Sequence, residues 1–318
     1  MGVYILRRVA IFFPMLLGIS LITFVVANVA PGDPVTAMIS PEDQLLEADL
    51  ERMREALGLN KPLPVRYGLW LGQLAQGNFG YSTFTGRPVL ERVGERIWPT
   101  LELTGAALLI STVVGFLFGI LAALRQYSFR DYALTLTSLF GLSIPTFFFA
   151  LAAILVLGSI WQVFPVFGMS SGTGGFSIWD NLYHLILPAT VLSLDLMAQN
   201  VRYARTAMLE VMKSEYVTTA RAKGLSERVV IGRHALRNAL LPLITITTLR
   251  LPILLGGAIV IETMFSWPGL GLLSVNAIRE RDYATVMGLT FFVSALVLAA
   301  NLLADILYAF ADPRIRYS

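Results

Sequence analysis

Six stretches of this sequence run for 20 residues or more with at most one Asp, Glu, Lys or Arg in each: Val9–Ala30, Leu103–Leu124, about Tyr132–Trp161, Leu182–Val201, Asn238–Ile261 and Tyr283–Ala304. A charge at the centre of a bilayer-spanning helix costs about 2.5–3.5 kcal/mol on insertion scales, and a hydrocarbon core of about 30 Å takes about 20 helical residues. Backbone N–H and C=O groups find no water in that layer, so each run is expected to close its hydrogen bonds internally as a helix. Charged residues make up only 14% of the chain, against about 25% in a typical soluble domain. The expected fold is an all-α membrane protein with six transmembrane helices.

Lysine and arginine in the short connections orient such a chain, because they are retained on the cytoplasmic side. With the N-terminus inside, the cytoplasmic segments hold Arg7, Arg8, Arg125, Arg130, the basic set from Arg202 to Arg237, Arg314 and Arg316. The outer loop 162–181 then has no Lys or Arg, and the loop 266–282 has only Arg279 and Arg281 beside Glu280 and Asp282. Both termini are expected to be cytoplasmic. The first run is too long for a signal-peptide core and ends in Asn28-Val29-Ala30, a poor cleavage site, so it is read as an uncleaved first helix. The long segment 31–98 is read as extracytoplasmic. It contains a capped amphipathic helix that starts at Ser40-Pro41-Glu42-Asp43, carries Leu46, Leu50, Met53 and Leu57, and ends at Gly58 and Pro62. The expected organisation is a first transmembrane helix at 1–30, the extracytoplasmic segment at 31–98, five further helices over 99–310 and a cytoplasmic tail at 311–318.

The basic insert EYVTTARAKGLSERVVIGRHALRNALLP, Glu215–Pro242, lies between the fourth and fifth apolar runs. Ser214 can cap a helix of about ten residues with Glu215 in its first turn, and Gly224 suits the left-handed residue that ends one. Ser226 can cap a second helix leading into the fifth run. A short rod across the membrane face fits a groove on a soluble partner, with Ala220 and Ala222 allowing close approach and Arg221 and Lys223 offering charge. A basic loop that sets topology and binds anionic headgroups has the same composition.

TARAKGLSERVVIGRHALRNALLP resembles the cytoplasmic signature of ABC importer membrane subunits, in the form found in dipeptide, oligopeptide, nickel and glutathione permeases. The resemblance extends along the chain: ILRR with its apolar run, APGDPV at Ala30–Val35, ETMFSWPGLG at Glu262–Gly271, RERDYATVMG at Arg279–Gly288, and NLLADILYAFADPRIR at Asn301–Arg316. Where the broader signature begins Glu-Ala-Ala, this chain has Thr218, Thr219 and Ala220, and Glu215 stands three residues earlier. The resemblance implies a cytoplasmic coupling helix at about 214–224 whose contact with the ATPase falls to Glu215, Tyr216, Ala220, Arg221, Lys223 and Gly224. It implies as partners a second homologous permease subunit, two cytoplasmic ABC ATPase subunits, an extracytoplasmic solute-binding protein and the lipid bilayer of the inner membrane. ATP and Mg would be held by the ATPases, with no cofactor or metal on this chain. The implied cargo is a di- or oligopeptide, with nickel, glutathione or oligosaccharide as alternatives on the same architecture.

Ionisable residues inside the apolar runs mark candidate pathway positions. Arg250 is near mid-depth of the fifth run, Asp195 about 10 Å inside the fourth, and Glu262 about 18 Å from Arg250 near the outer face. A structural ion pair or subunit contact would place them equally well. Enzyme readings fare worse. Gly168-Met169-Ser170-Ser171-Gly172 matches G-x-S-x-G but sits in a glycine-rich loop, where the motif needs a strand–turn–helix elbow. No G-x-x-x-x-G-K-[ST] occurs, so the chain cannot cradle ATP phosphates in a P-loop. His184 and His234, the only histidines, make no H-E-x-x-H site. A net charge of +3 gives no case for nucleic acid. An ion-gradient-driven transporter remains as a rival class, but no paired repeat is visible, and Asp195 is its one good carboxylate.

Overall fold

The structure, a computed structural model, describes residues 2–29, 47–56, 58–172, 177–240, 243 and 251–311. The described residues are almost entirely helical. In chain order they form α1 (Gly2–Val29), α2 (Glu47–Ala56), α3 (Leu63–Ala75), α4 (Val89–Leu124), α5 (Phe129–Ser143), α6 (Thr146–Ala153, prolonged by π-helical turns over Ile154–Ile160), α7 (Ile178–Met212), α8 (Glu215–Ala222), α9 (Glu227–Val229, prolonged by π-helical turns over Val230–Leu236), α10 (Leu251–Met264), α11 (Leu270–Arg279) and α12 (Tyr283–Ala311). Arg250, Pro242 and the Ser40–Asp43 cap lie outside the described residues.

Four of these helices are long and apolar enough to cross a bilayer: Leu6–Val29 within α1, α4, α7, and Tyr283–Leu303 within α12. The third run is not one straight helix: α5 and the α6 rod meet at 101°. The cause is local. Ile144 precedes Pro145, a position where the helical region is disfavoured, and it adopts an extended backbone with φ −105° and ψ 127°. Pro145 then stands at the N-cap of α6, where its missing N–H is no loss. Of the fifth run, residues 238–240, 243 and 251–261 are described.

The chain divides into two compact units, Met1–Trp98 with Pro268–Ala299, and Pro99–Trp267 with Ala300–Ser318. In the first, Val89 and Val93 pack with Leu270, Leu273 and Leu289. Beside them Asp282 is fully buried. It accepts hydrogen bonds from Ser82 Oγ (2.5 Å), Thr285 Oγ1 (2.6 Å) and Thr83 N (3.1 Å), and an ion pair from Arg92 Nη1 (2.9 Å). It also accepts from Thr285 N (3.2 Å), three residues on, which makes it the N-cap of α12.

In the second unit, Leu103, Ala107, Leu185, Leu187, Val191, Leu192, Ile261, Phe265 and Trp267 share one core cluster. Two glycines let α4 lie directly on α7. A Cβ at Gly115 would fall 2.6 Å from Asn200 Cβ, and one at Gly119 would fall 2.4 Å from the Val201 carbonyl oxygen. Asn200 Nδ2 donates to Ser111 O across the same contact, at 3.1 Å. Lipid tails are as apolar as leucine, so close backbone packing and such interhelical hydrogen bonds hold membrane helices together.

Candidate functional site

The basic insert folds as two short helical pieces that hang from the end of α7. The Leu182–Val201 run is part of a longer helix, and α7 carries on to Met212, so Arg202 and Arg205 ride on helix rather than loop. Arg205 grips Asp131 at the start of α5 through two parallel bonds, Nε to Oδ1 at 2.6 Å and Nη2 to Oδ2 at 2.7 Å. Asp131 is buried and also accepts from Tyr127 N. This bidentate geometry fixes orientation as well as distance, so the stretch of α7 leading to α8 is tied to α5.

Ser214 stands at the N-cap position of α8, but its side chain does not cap. Its Oγ donates back to Val211 O at 2.6 Å. Likewise Ser226 precedes α9 without a side-chain cap bond. The expected caps are corrected: both positions have the extended backbone of a cap, and Ser214's hydroxyl instead satisfies a carbonyl at the end of α7. The C-terminal expectation is met in full. Gly224 has φ +75°. Its N–H reaches Arg221 O at 2.9 Å, and Leu225 N reaches Ala220 O at 3.4 Å, the paired closure of a Schellman turn.

α8 has one inward stripe. Val217 and Ala220, three residues apart, are buried with Ala123, Met208, Val230, Ala235 and Ala239. Glu215, Tyr216, Thr218, Thr219, Arg221, Lys223 and Gly224 face outward. Ala220 therefore does not present a small surface to a partner, as its size suggested. It faces the chain's own interior, where a small side chain lets α8 sit close to the helices above it. Arg221 Nε donates to Glu227 Oε1 at 2.8 Å, bridging the Gly224 turn and joining α8 to α9. Exposed pairs of this kind contribute about 0–1 kcal/mol, so the apolar stripe is what seats α8.

Gly224 gives the sharpest local test. A Cβ there would meet nothing within 4 Å, so only the left-handed backbone resists substitution. Gly224→Val is expected to destabilise the turn by about 1–2 kcal/mol, while Gly224→Asn, whose side chain tolerates that region, should retain most of the native behaviour. Amide hydrogen exchange over 214–227 checks the ordering. Equal protection in both variants would refute it.

Of the three intramembrane candidates, Asp195 and Glu262 are among the described residues. Asp195 is half-buried on α7 and accepts from Gln199 Nε2 at 2.9 Å. Glu262 is fully buried and accepts from Thr100 Oγ1 at 2.7 Å, while its backbone oxygen takes the Trp267 N–H. Its carboxylate ties α10 to α4 and has no exposed surface in this structure. Arg250 lies outside the described residues. In the loop that matches G-x-S-x-G, Ser171 N and Oγ donate to Asp180, and His184 Nδ1 contacts the Asp180 carbonyl. Ser170 sits in that loop with no strand before it.

Sequence reasoning missed two features. The Gly115–Gly119 contact was signalled by GFLFG, a G-x-x-x-G spacing. The Arg205–Asp131 clamp had no signal, since its partners stand 74 residues apart.

Residues 115–317 match the family model described as the binding-protein-dependent transport system inner membrane component. Residues 1–104 match the model of the N-terminal part of such membrane components. The oligopeptide transport system permease protein AppB of Bacillus subtilis (strain 168) is 45% identical over 318 residues, covering 100% of both chains. The dipeptide transport system permease protein DppB of Escherichia coli (strain K12) is 38% identical, covering 99% of this chain and 98% of its own. A solved structure of the MetNI methionine ABC transporter aligns with a TM-score of 0.56 at 18% identity, over 70% of this chain and 97% of that one. That likeness concerns the fold alone.

Proposed function

Because this chain belongs to the family of binding-protein-dependent transport system inner membrane components, a family of multi-pass membrane permeases, we propose that it forms half of the translocation pathway of an ATP-driven importer of di- or oligopeptides. The observation that carries the mechanism is the division of α8 into a buried stripe, Val217 and Ala220, and a polar outward face. A helix held this way is a handle. Its inner face is locked to the ends of α4, α7 and α9, and its outer face is free to be gripped.

In this reading the chain lies in the inner membrane with both termini cytoplasmic and six spans, the broken α5–α6 pair counting as one. It pairs with a second permease subunit, two cytoplasmic ATPases that hold ATP and Mg, and an extracytoplasmic binding protein that delivers the solute. Glu215, Tyr216, Arg221 and Lys223 contact the ATPase, and Gly224 lets the chain turn sharply out of that contact. Closure of the ATPases on ATP pushes α8. The clamp between Arg205 and Asp131 passes the displacement from α7 to α5, and the pathway switches from one face to the other. Asp195 and Arg250 are proposed to line that pathway. Residues 31–98 and 311–318 are the extracytoplasmic segment and the cytoplasmic tail.

The test is uptake by the reconstituted transporter in liposomes. Labelled dipeptide should accumulate only with ATP, and unlabelled di- and tripeptides should compete where nickel, glutathione and oligosaccharides do not. Competition by one of the latter would move the cargo assignment to that class. Uptake driven by an ion gradient without ATP would refute the importer reading. Gly224→Val should lower uptake more than ATP hydrolysis, and a parallel loss of both would argue against α8 as the coupling element.

A further inference from the structure

The helix α3, LPVRYGLWLGQLA, carries one charge in 13 residues, Arg66. One stripe of it packs on α1. Tyr67 and Trp70 meet the Phe24 ring at centroid distances of 5.4 and 5.7 Å, and Tyr67 OH lies 2.8 Å from Ser20 Oγ. Leu74, on the same stripe, is buried. The opposite stripe holds Val65 and Leu69, which are 48% and 50% exposed, interspersed with Gly68 and Gly72. A helix standing in water presents polar side chains on its outer face; one that is apolar all round is buried in protein or in lipid.

Depth decides between water and lipid. α1 is itself one of the helices apolar enough to cross the bilayer. Phe24, the centre of the contact, is five residues short of the α1 end at Val29, which is about 7–8 Å along the axis, and Ser20 is about 14 Å from that end. α3 thus crosses α1 inside the apolar layer rather than beyond it. Its single charge is turned back toward the boundary, for Arg66 Nη2 donates to Asn28 Oδ1 at the end of α1. Long cationic side chains bury their stems and return their heads to the headgroups in this way. Tyr67 and Trp70 are the residue types that favour the membrane interface. At about 20 Å α3 is too short to span a core of about 30 Å.

We infer that α3 is a membrane-seated helix, packed on α1 at the boundary of headgroups and acyl chains with Val65 and Leu69 in the lipid. Interfacial helices sit about 5–10 Å into this boundary, the depth that the Phe24 contact sets. The segment between α1 and α4 is then not wholly aqueous: it returns to the bilayer directly after α2. Which leaflet receives it follows from the proposed orientation; the insertion itself does not depend on that orientation or on the cargo.

The chain has no cysteine, so Leu69→Cys, Val65→Cys and Lys61→Cys each introduce a single thiol for a nitroxide label. The intact transporter is reconstituted in nanodiscs of phosphatidylethanolamine and phosphatidylglycerol, and power saturation measures access of oxygen, which concentrates in lipid, and of a nickel chelate, which stays in water. The oxygen-to-nickel access ratio at positions 65 and 69 is expected to exceed that at 61 several-fold. Equal ratios at all three positions would put α3 in water and overturn the inference. Labels at 65 and 69 reached by neither reagent would mean that protein covers the face, which also overturns it. Two label sites on one face keep the test decisive if one variant fails to assemble, and uptake assays on the same samples separate this result from the importer reading.

Discussion

Replacing Asp282 with alanine is expected to destabilise the unit built from Met1–Trp98 and Pro268–Ala299 by about 3–5 kcal/mol. The carboxylate has no exposed surface. It is the common acceptor for Ser82, Thr83 and Thr285, the ion-pair partner of the mostly buried Arg92, and the N-cap of α12. Removing it leaves the Arg92 guanidinium desolvated with its charge partner gone, and the cost of that stranded charge exceeds the value of any one bond. Asp282→Asn keeps the cap oxygen but loses the charge, so it should fall between alanine and the native residue. Arg92→Leu combined with Asp282→Leu should recover part of the loss. Thermal unfolding in detergent measures all four proteins. A double variant no better than Asp282→Ala would mean that the ion pair is not the source of the cost.

The same group makes stability depend on acid. Burial alone would push the Asp282 carboxyl up, but hydrogen bonds from Ser82, Thr285 and Thr83 outweigh it and hold the group below the usual carboxylate range. A folded-state value below the unfolded one, about 3.9, means that the stabilisation is fully present above the unfolded value. It is lost as pH falls through the folded value. Acid unfolding below about pH 4 should therefore be less steep in Asp282→Asn than in the native chain.

Gly119→Leu is expected to prevent α4 from docking on α7. The new Cβ would stand 2.4 Å from the Val201 carbonyl oxygen and 2.6 Å from Ala204 Cβ. Neither obstacle is the end of a flexible side chain, so the helices must separate. Overpacking costs about 1–3 kcal/mol where side chains can adjust, and the rigid neighbours here put Gly119→Leu at or above the top of that range. Gly105→Leu, on the same helix, meets nothing within 4 Å and serves as control. Size-exclusion profiles and thermal unfolding of the two variants should diverge sharply. Matching behaviour would show that α4 and α7 do not pack through Gly119.

Much of the architecture was legible because membrane helices must be apolar over a fixed length. The lengths themselves were less so. Leu103–Leu124 and Leu182–Val201 marked apolar centres, but α4 begins at Val89 and α7 continues to Met212, since a helix does not stop where its hydrophobicity stops. The Ile144–Pro145 break could have been placed from the residues, as proline constrains its predecessor; its 101° angle could not. For α2, the expected end at Gly58 holds, with φ +67° and closing bonds to Glu55 O and Arg54 O.

The basic insert divides the same way. Its existence, its bounds near Ser214 and Gly224, and its charge could be read from local rules alone, because caps, turns and helix length depend on neighbours within a few residues. The side of α8 that points inward could not be read so, nor could the fact that Ala220 is an anchor. Residues 63–75 were read only as part of the segment 31–98, and the seat of α3 against Phe24 emerges only from the fold. Apolar runs of this length dictate membrane helices joined to a basic helical insert, since the bilayer and the backbone permit few alternatives. Which polar groups pair inside the fold and which face outward depends on contacts between distant segments. Asp282 with Arg92, Arg205 with Asp131, and Glu262 with Thr100 meet across 190, 74 and 162 residues, and no short-range rule reaches so far.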